Sequence, residues 1–376
     1  MNPSSTPRPA TGEGSRVVRV GRTARLAAAV LAVAFALAAC TGGSAAAGAS
    51  AQPGATASSA PTATGTPEPS ATPTVVPAAA FPLTLTDDEG NSVTLEAAPR
   101  RIVSLTPATT EILFAIGAGP RVVATTDFDD YPPEVTALPH VASYQGVDVE
   151  KIVSLGADLV VAGGNGFNPP DAIAQLRRLG IPVLVVYAPT VAGVLHDIEL
   201  VGDAAGAGQA SRDLTASMRA GFDQVAAATR DVARPRTFYE LDATKEIYGP
   251  ARDSFVAEMV SLAGGEPITT DDPAVFSISL EKLVAADPEV IVLGDAAYGT
   301  TPEIVKARPG WSTMTAVKAG AIRPSNDTLV TRPGPRLVEG LRNLLAAIHP
   351  ELASALSGPG SPAGLAISPP AALAAP

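Results

Sequence analysis

Two stretches of the chain repeat each other 131 residues apart, and a long proline-free segment lies between them. The first runs Asp148-Val149-Glu150-Lys151-Ile152-Val153 and leads into Asp158-Leu159-Val160-Val161-Ala162-Gly163-Gly164. The second runs Ser279-Leu280-Glu281-Lys282-Leu283-Val284 and leads into Glu289-Val290-Ile291-Val292-Leu293-Gly294. Each reads as a capped helix, a short turn and a buried strand, with a Glu-Lys pair in the first helical turn. A chain carrying this unit twice is constrained to two similar α/β halves.

The flanking pattern agrees. Leu83–Thr86 and Ser92–Leu95 bracket Asp87-Asp88-Glu89-Gly90-Asn91 and form a hairpin signal. Short apolar strands at Ile102–Leu105, Val122–Thr125, Leu159–Ala162 and Val183–Tyr187 alternate with helical patterns at Thr109–Ile116, Val149–Leu155 and Pro170–Leu179. A second series places strands at Thr237–Leu241 and Val290–Leu293, with helices at Ser254–Ala263, Leu280–Ala285 and Arg336–Ile348. Such alternation predicts mainly parallel sheets with helices on both faces. Gln209–Ala233 has helical spacing through Leu214, Met218, Phe222, Val225 and Thr229. As one helix it would be about 37 Å long, enough to bridge two lobes; Gly221 within it costs about 1 kcal/mol.

The N-terminal segment 1–39 reads as a signal peptide. Arg16, Arg19, Arg22 and Arg25 precede fourteen apolar residues, Leu26–Ala39. That run spans about 21 Å as a helix, short of the roughly 30 Å hydrocarbon core. Leu37-Ala38-Ala39-Cys40 resembles a bacterial lipobox, which implies cleavage before Cys40 and lipid on its sulfur. From residue 40 to 80 the chain is almost entirely Ala, Gly, Ser, Thr and Pro with one charge, Glu68, and reads as a disordered tether. As a flexible coil it would span on the order of 35 Å. Residues 351–376 read as a disordered tail. The expected body comprises an N-terminal lobe at 81–188, linking helices at 189–234 and a C-terminal lobe at 235–350.

The formal charge is −11, and removing residues 1–39, which carry +4, leaves −15. No basic stripe exists to neutralise phosphates, so nucleic acid is not an expected partner. One cysteine excludes a disulfide framework and Cys-rich metal sites, and His140, His196 and His349 share no metal-ligand spacing. Gly163-Gly164-Asn165-Gly166 follows a strand but lacks both the dinucleotide order and a Walker lysine. No Gly-x-Ser-x-Gly elbow or paired catalytic carboxylates appear. An enzyme of Rossmann type and a surface adhesin or scaffold are the readings from other classes. An adhesin does not require paired lobes or a spanning helix.

Arg100-Arg101-Ile102-Val103-Ser104-Leu105 with Thr110-Glu111-Ile112-Leu113 resembles the opening of bacterial periplasmic binding proteins for vitamin B12, haem and ferric siderophores. Asp130-Tyr131-Pro132-Pro133, Tyr144-Gln145-Gly146, Ala263-Gly264-Gly265 and Arg332-Pro333-Gly334-Pro335-Arg336 continue the match in order. The resemblance covers about 82–350 and is greatest to the vitamin B12 binders. It implies two Rossmann-like lobes joined by one long helix, little hinge closure and a ligand cleft between the lobes. The implied activity is that of a lipid-anchored extracytoplasmic receptor and not an enzyme. It would have no cofactor of its own and would carry cobalamin, or alternatively haem or a ferric chelate, as a monomer. The implied partners are an ABC permease dimer and its ATPase subunits.

The resemblance also nominates residues. Phe128 stands where the B12 binders carry a tyrosine facing the corrin. Tyr144 aligns with their stacking tryptophan, while haem-binding relatives have an iron-ligating tyrosine close to this position. No metal ligand is otherwise expected. Gln145 shapes the same loop. Arg332 matches the family's cleft arginine, and the proline after it restricts the backbone that aims it. Asp327 lies five residues earlier, against a family spacing of four. Gly163 and Val275 stand where B12 binders have tryptophans, with Phe167 and Phe276 as neighbouring replacements; Tyr248 is a further aromatic for the cleft. Glu150 and Glu281 match the lobe-tip glutamates that meet permease arginines, and one acid per lobe suits a two-fold partner.

Overall fold

The computed structural model describes residues 80–356. The signal segment 1–39, Cys40, the rest of the tether up to residue 79 and the tail from residue 357 lie outside the described residues. Among the described residues no helix is long and apolar enough to cross a membrane.

The first lobe opens with an antiparallel hairpin, β1 (Leu83–Thr86) and β2 (Ser92–Leu95). Six more strands follow: β3 (Ile102–Ser104), β4 (Val122–Thr126), β5 (His140–Ser143), β6 (Gly146–Val147), β7 (Leu159–Gly163) and β8 (Val183–Val186). They form one sheet in the order β6-β5-β4-β3-β7-β8, parallel except for β6. The interleaved helices are α1 (Pro107–Ala115), α2 (Val149–Ser154) and α3 (Pro170–Arg178). Thr106 caps α1 through Thr109 N–H with Pro107 in the first turn, and Asp148 caps α2 through Lys151 N–H.

Two helices follow, α4 (Val191–Ala204) and α5 (Gly208–Thr229). The second lobe is built on a four-stranded parallel sheet, β11-β9-β13-β14, with β9 (Arg236–Glu240), β11 (Glu266–Pro267), β13 (Val290–Leu293) and β14 (Ile322–Pro324). A separate antiparallel ribbon pairs β10 (Ile247–Tyr248) with β12 (Ser277–Ile278). Its helices are α6 (Phe255–Leu262), α7 (Leu280–Ala286), α8 (Pro302–Ala307), α9 (Thr315–Ala319), α10 (Asp327–Thr331), α11 (Leu337–Ile348) and α12 (Pro350–Leu356). Ser279 caps α7 as Asp148 caps α2, so the repeat read from the sequence is a repeat of capped helix, turn and strand.

Strand alternation divides the core into three. Val103, Val160, Ala162 and Val185 face α2 and α3 on one side of the first sheet. Phe238, Ile291 and Leu293 face Trp311 and Met314 on one side of the second. The opposite faces, with Ile102, Leu159 and Leu184 from one lobe and Tyr239, Val290 and Val292 from the other, belong to one continuous cluster. Met218 and Val225 of α5 lie in that shared cluster. At 22 residues α5 is about 33 Å long and packs on both α4 and α11. It ends four residues before the position that its spacing predicts, since the chain must turn at Pro235 into β9. A Cβ at Gly221 would stand 2.5 Å from a Val338 methyl, so the glycine marks where α11 closes on α5. The tail expected from 351 begins instead as α12, because Pro350 is preset for a first helical turn and Leu352 packs on the shared core.

At Gly340 a Cβ would collide with the Leu329 carbonyl oxygen, a backbone contact that no rotamer change relieves. Gly340→Ala should therefore force α10 off α11 and cost about 1–3 kcal/mol. Chemical denaturation checks this, and an unchanged midpoint would show that the two helices do not need this approach.

Candidate ligand-binding site

In the first sheet β3 has β4 on one side and β7 on the other, so the strand order reverses at β3. Loops leaving the carboxyl ends of strands diverge at such a point and leave a crevice. A cavity of about 560 Å³ occupies this place. Its walls are Thr106–Thr109 after β3, Gly163–Phe167 after β7, Val186–Ala188 after β8, and Asp197 of α4; Thr331–Pro333 reach in from the second lobe.

An adjoining cavity of about 260 Å³ is lined by Phe128, Tyr144 and Phe167. Asp129 takes hydrogen bonds from Thr126 N–H at 2.9 Å and from its hydroxyl, and Phe128 N–H donates back to Thr126 Oγ1 at 3.1 Å. That locked turn holds Phe128 against Tyr144, edge to face, with ring centroids 4.4 Å apart. Tyr144 and Gln145 form the two-residue link between β5 and β6, where Gly146 adopts φ 123°. Tyr144 is 94% exposed there, and Gln145 is exposed beside it. Phe167, also exposed, lines both cavities. Its ring lies 3.2 Å from where a Cβ at Gly163 would stand, so Phe167 fills space that a side chain at 163 would need.

Arg332 lines the larger cavity and is already engaged. One Nη1 donates at 2.7 Å to Glu111 of α1 and at 2.7 Å to Asp130. Arg336 donates to the same Glu111 carboxylate from Nε at 2.8 Å and Nη2 at 2.6 Å, and its guanidinium lies 4.1 Å over the Tyr131 ring. Burial disfavours charge on Arg332, yet the hydrogen bonds to Asp130 and Glu111 outweigh it and raise its pKa above the ordinary value. Glu111 is almost fully buried and joins the lobes at the cleft. The sequence marked Arg332 but missed Glu111, Arg336 and Asp197. The available signals were a charge inside the apolar α1 and a second arginine one helical turn after the first.

Other nominated residues lie apart from these walls. Asp327 accepts the Tyr239 hydroxyl proton at 2.9 Å and the Thr331 hydroxyl at 3.2 Å, bracing the second lobe from inside. Burial raises its pKa despite those bonds. Tyr248 and Phe276 sit on the β10–β12 ribbon, where Gly249 N–H bonds Phe276 O at 2.9 Å and the Tyr248 hydroxyl bonds Glu246. Neither lines the two cavities. Val275 and Phe276 are both exposed on this ribbon.

Glu150 and Glu281 occupy the first turns of α2 and α7, and both side chains are exposed. The paired lysines are anchored: Lys151 Nζ donates to His140 O at 2.9 Å, and Lys282 Nζ bonds Thr270 O and Asp271. Backbone and Ser279 hydrogen bonds at the helix start lower the Glu281 pKa, so it stays ionised.

Removing Glu111 would strand two arginines against an apolar helix. Glu111→Ala should cost about 3 kcal/mol, the lower end for a broken buried pair because both guanidiniums reach water. Urea titration measures it; a loss under about 0.5 kcal/mol would mean that water replaces the carboxylate freely.

The pattern of a periplasmic binding protein family matches residues 102–324. An uncharacterized ABC transporter substrate-binding lipoprotein of Bacillus subtilis, YvrC, is 34% identical over 276 residues, covering 72% of this chain and 87% of the relative. The crystal structure of the periplasmic vitamin B12 binding protein BtuF of Vibrio cholerae superposes with a TM-score of 0.59 at 27% identity, over 68% of this chain and 98% of that one. The apo form of the periplasmic heme-binding protein RhuT from Roseiflexus sp. RS-1 superposes equally, at 0.59 and 28%, over 68% and 99%. With two α/β lobes bridged by one long helix and a cleft at the strand ends, the chain belongs to the periplasmic binding protein family.

Proposed function

We propose that the protein is the lipid-anchored, extracytoplasmic receptor of an ABC importer and that it captures a corrinoid in the cleft. The observation that carries this reading is the run of three rings, Phe128, Tyr144 and Phe167, around two adjoining cavities. A flat macrocycle is held by apolar faces and stacking more than by hydrogen bonds. The sharing of one apolar core between the lobes favours capture with little domain closure, since opening would expose packed surface. A second reading, haem, draws on the exposed phenol of Tyr144. Lipid on Cys40 and the tether would hold the receptor near the membrane. Glu150 and Glu281, exposed at the starts of α2 and α7 while their neighbouring lysines bond elsewhere, would dock on basic residues of a permease dimer whose ATPase drives release.

Purified protein mixed with cyanocobalamin or haemin and then desalted should retain corrinoid absorption. A retained Soret band instead, altered in Tyr144→Phe, would make it a haem receptor with Tyr144 on iron. If Tyr144 stacks on the ligand, Tyr144→Ala should weaken binding by roughly 1–3 kcal/mol. An unaltered affinity in the folded variant removes it from the site. Reversing charge at both Glu150 and Glu281 should stop cellular uptake and leave affinity intact; normal uptake would rule out docking through them.

A further inference from the structure

Two arginines from the second lobe meet two acids from the first at the edge of the larger cavity, and the four are unevenly matched. Arg336 takes both oxygens of Glu111, from Nε at 2.8 Å and from Nη2 at 2.6 Å. Arg332 is left to share Oε1 of that carboxylate through one N–H of its Nη1, at 2.7 Å. The other Nη1 hydrogen goes to Asp130 Oδ1, also at 2.7 Å. One carboxylate cannot balance two guanidiniums, so Asp130 supplies the second negative charge and answers that of Arg332. Exposure separates the two acids. The Glu111 side chain is 2% exposed and cannot leave without stranding both bases, whereas that of Asp130 is 64% exposed. Asp130 is put in place by its neighbours in the chain, since Asp129 is tied to Thr126 and the Tyr131 ring lies under Arg336. Among the described residues Arg332 is the only base that Asp130 meets. Arg332 belongs to the cavity wall and Asp130 does not, so an effect of Asp130 on a ligand passes through Arg332.

We infer that Asp130 is the positioning residue that sets the charge preference of the cleft: it holds Arg332 neutralised, which favours ligands with an uncharged polar edge, and a ligand carboxylate reaches that arginine only by displacing it. Displacement swaps one exposed carboxylate for another on the same N–H and leaves Glu111 and its tie between the lobes in place. With Asp130 present the two arginines and two acids sum to zero charge, so a ligand carboxylate is one more anion than the site has cations for. With that charge removed, Arg332 has an N–H and a positive charge to offer an anion. Asp197, the acid in the cavity wall, is the same in every form compared at position 130. The inference rests on the reading of this cavity as the ligand cleft and deepens it. It adds a choice that the three rings cannot make, between the side-chain amides of a corrinoid and the carboxylates of a haem or of a hydrolysed corrinoid.

The test uses the purified full chain at neutral pH in equilibrium dialysis with cyanocobalamin, with its separated monocarboxylates, each carrying one hydrolysed side-chain amide, and with haemin. The unmodified protein should bind no monocarboxylate more tightly than cyanocobalamin. Asp130→Asn keeps an oxygen for Arg332 and removes the charge, and in it at least one monocarboxylate should gain about tenfold relative to cyanocobalamin. High salt should shrink that gain, which a purely structural disturbance would not do. Asp130→Glu returns the charge and should return the ratio of the unmodified protein. Ratios that are the same in Asp130→Asn and the unmodified protein, or a gain that Asp130→Glu shares, overturn the inference and leave the corrinoid reading standing. If haemin binds and no corrinoid does, the corrinoid reading fails. A salt-sensitive rise in haemin affinity in Asp130→Asn then supports the role of Asp130, and an unchanged affinity overturns it.

Discussion

The cleft depends on one buried carboxylate. Glu111 lies on an apolar helix of the first lobe, where an ionised group is costly unless donors surround it. Its donors are Arg332 and Arg336, both from the second lobe and supplying three hydrogen bonds between them. Such an arrangement cannot be satisfied within either lobe alone. It sets the distance between them at the mouth of the cleft and fixes where Arg332 points. Pro333, Gly334 and Pro335 lie between the two arginines, so the backbone has little freedom to separate them.

The opposite side is tied by packing. One face of each sheet buries into a single apolar cluster threaded by α5, and the other faces close two private cores. The private cores let each lobe keep its own shape, while the shared one makes relative motion expensive. A receptor built this way adapts to its ligand chiefly through loops. The loops on the cleft come from the carboxyl ends of β3, β4, β7 and β8, and from the β5–β6 link.

Regular elements were legible in the sequence because their signals are local. Caps at Asp148 and Ser279, apolar strands and the 3.6-residue spacing of α5 lie within windows of a few residues, though the Thr106 cap of α1 was not read. The short strands β10, β11, β12 and β14 and helices α8 to α10 escaped, since two to six residues carry little periodicity and depend on partners far along the chain. The site divided in the same way. Phe128, Tyr144, Phe167 and Arg332 were marked by chemistry and resemblance, and the fold brings them to one cleft. Asp327, Tyr248 and Phe276 were marked on the same grounds and fall elsewhere, because proximity in sequence to a cleft residue does not carry a side chain into the cleft. Glu111 went unmarked, since the partners that define it lie 221 and 225 residues away.

The relation between Gly163 and Phe167 limits how this cleft can be altered. The Phe167 ring and the Thr106 methyl stand where any side chain at 163 would go. Aromatic surface can therefore be supplied from the strand end or from the loop beyond it, but not from both at once. A tryptophan grafted at 163 alone would collide with both, and trimming the exposed Phe167 would relieve only its part, since the Thr106 methyl stays. The effects of the two changes would therefore depart from additivity. Stacking surface in this cleft is thus a property of a pair of positions, the strand end and the loop beyond it, rather than of either alone.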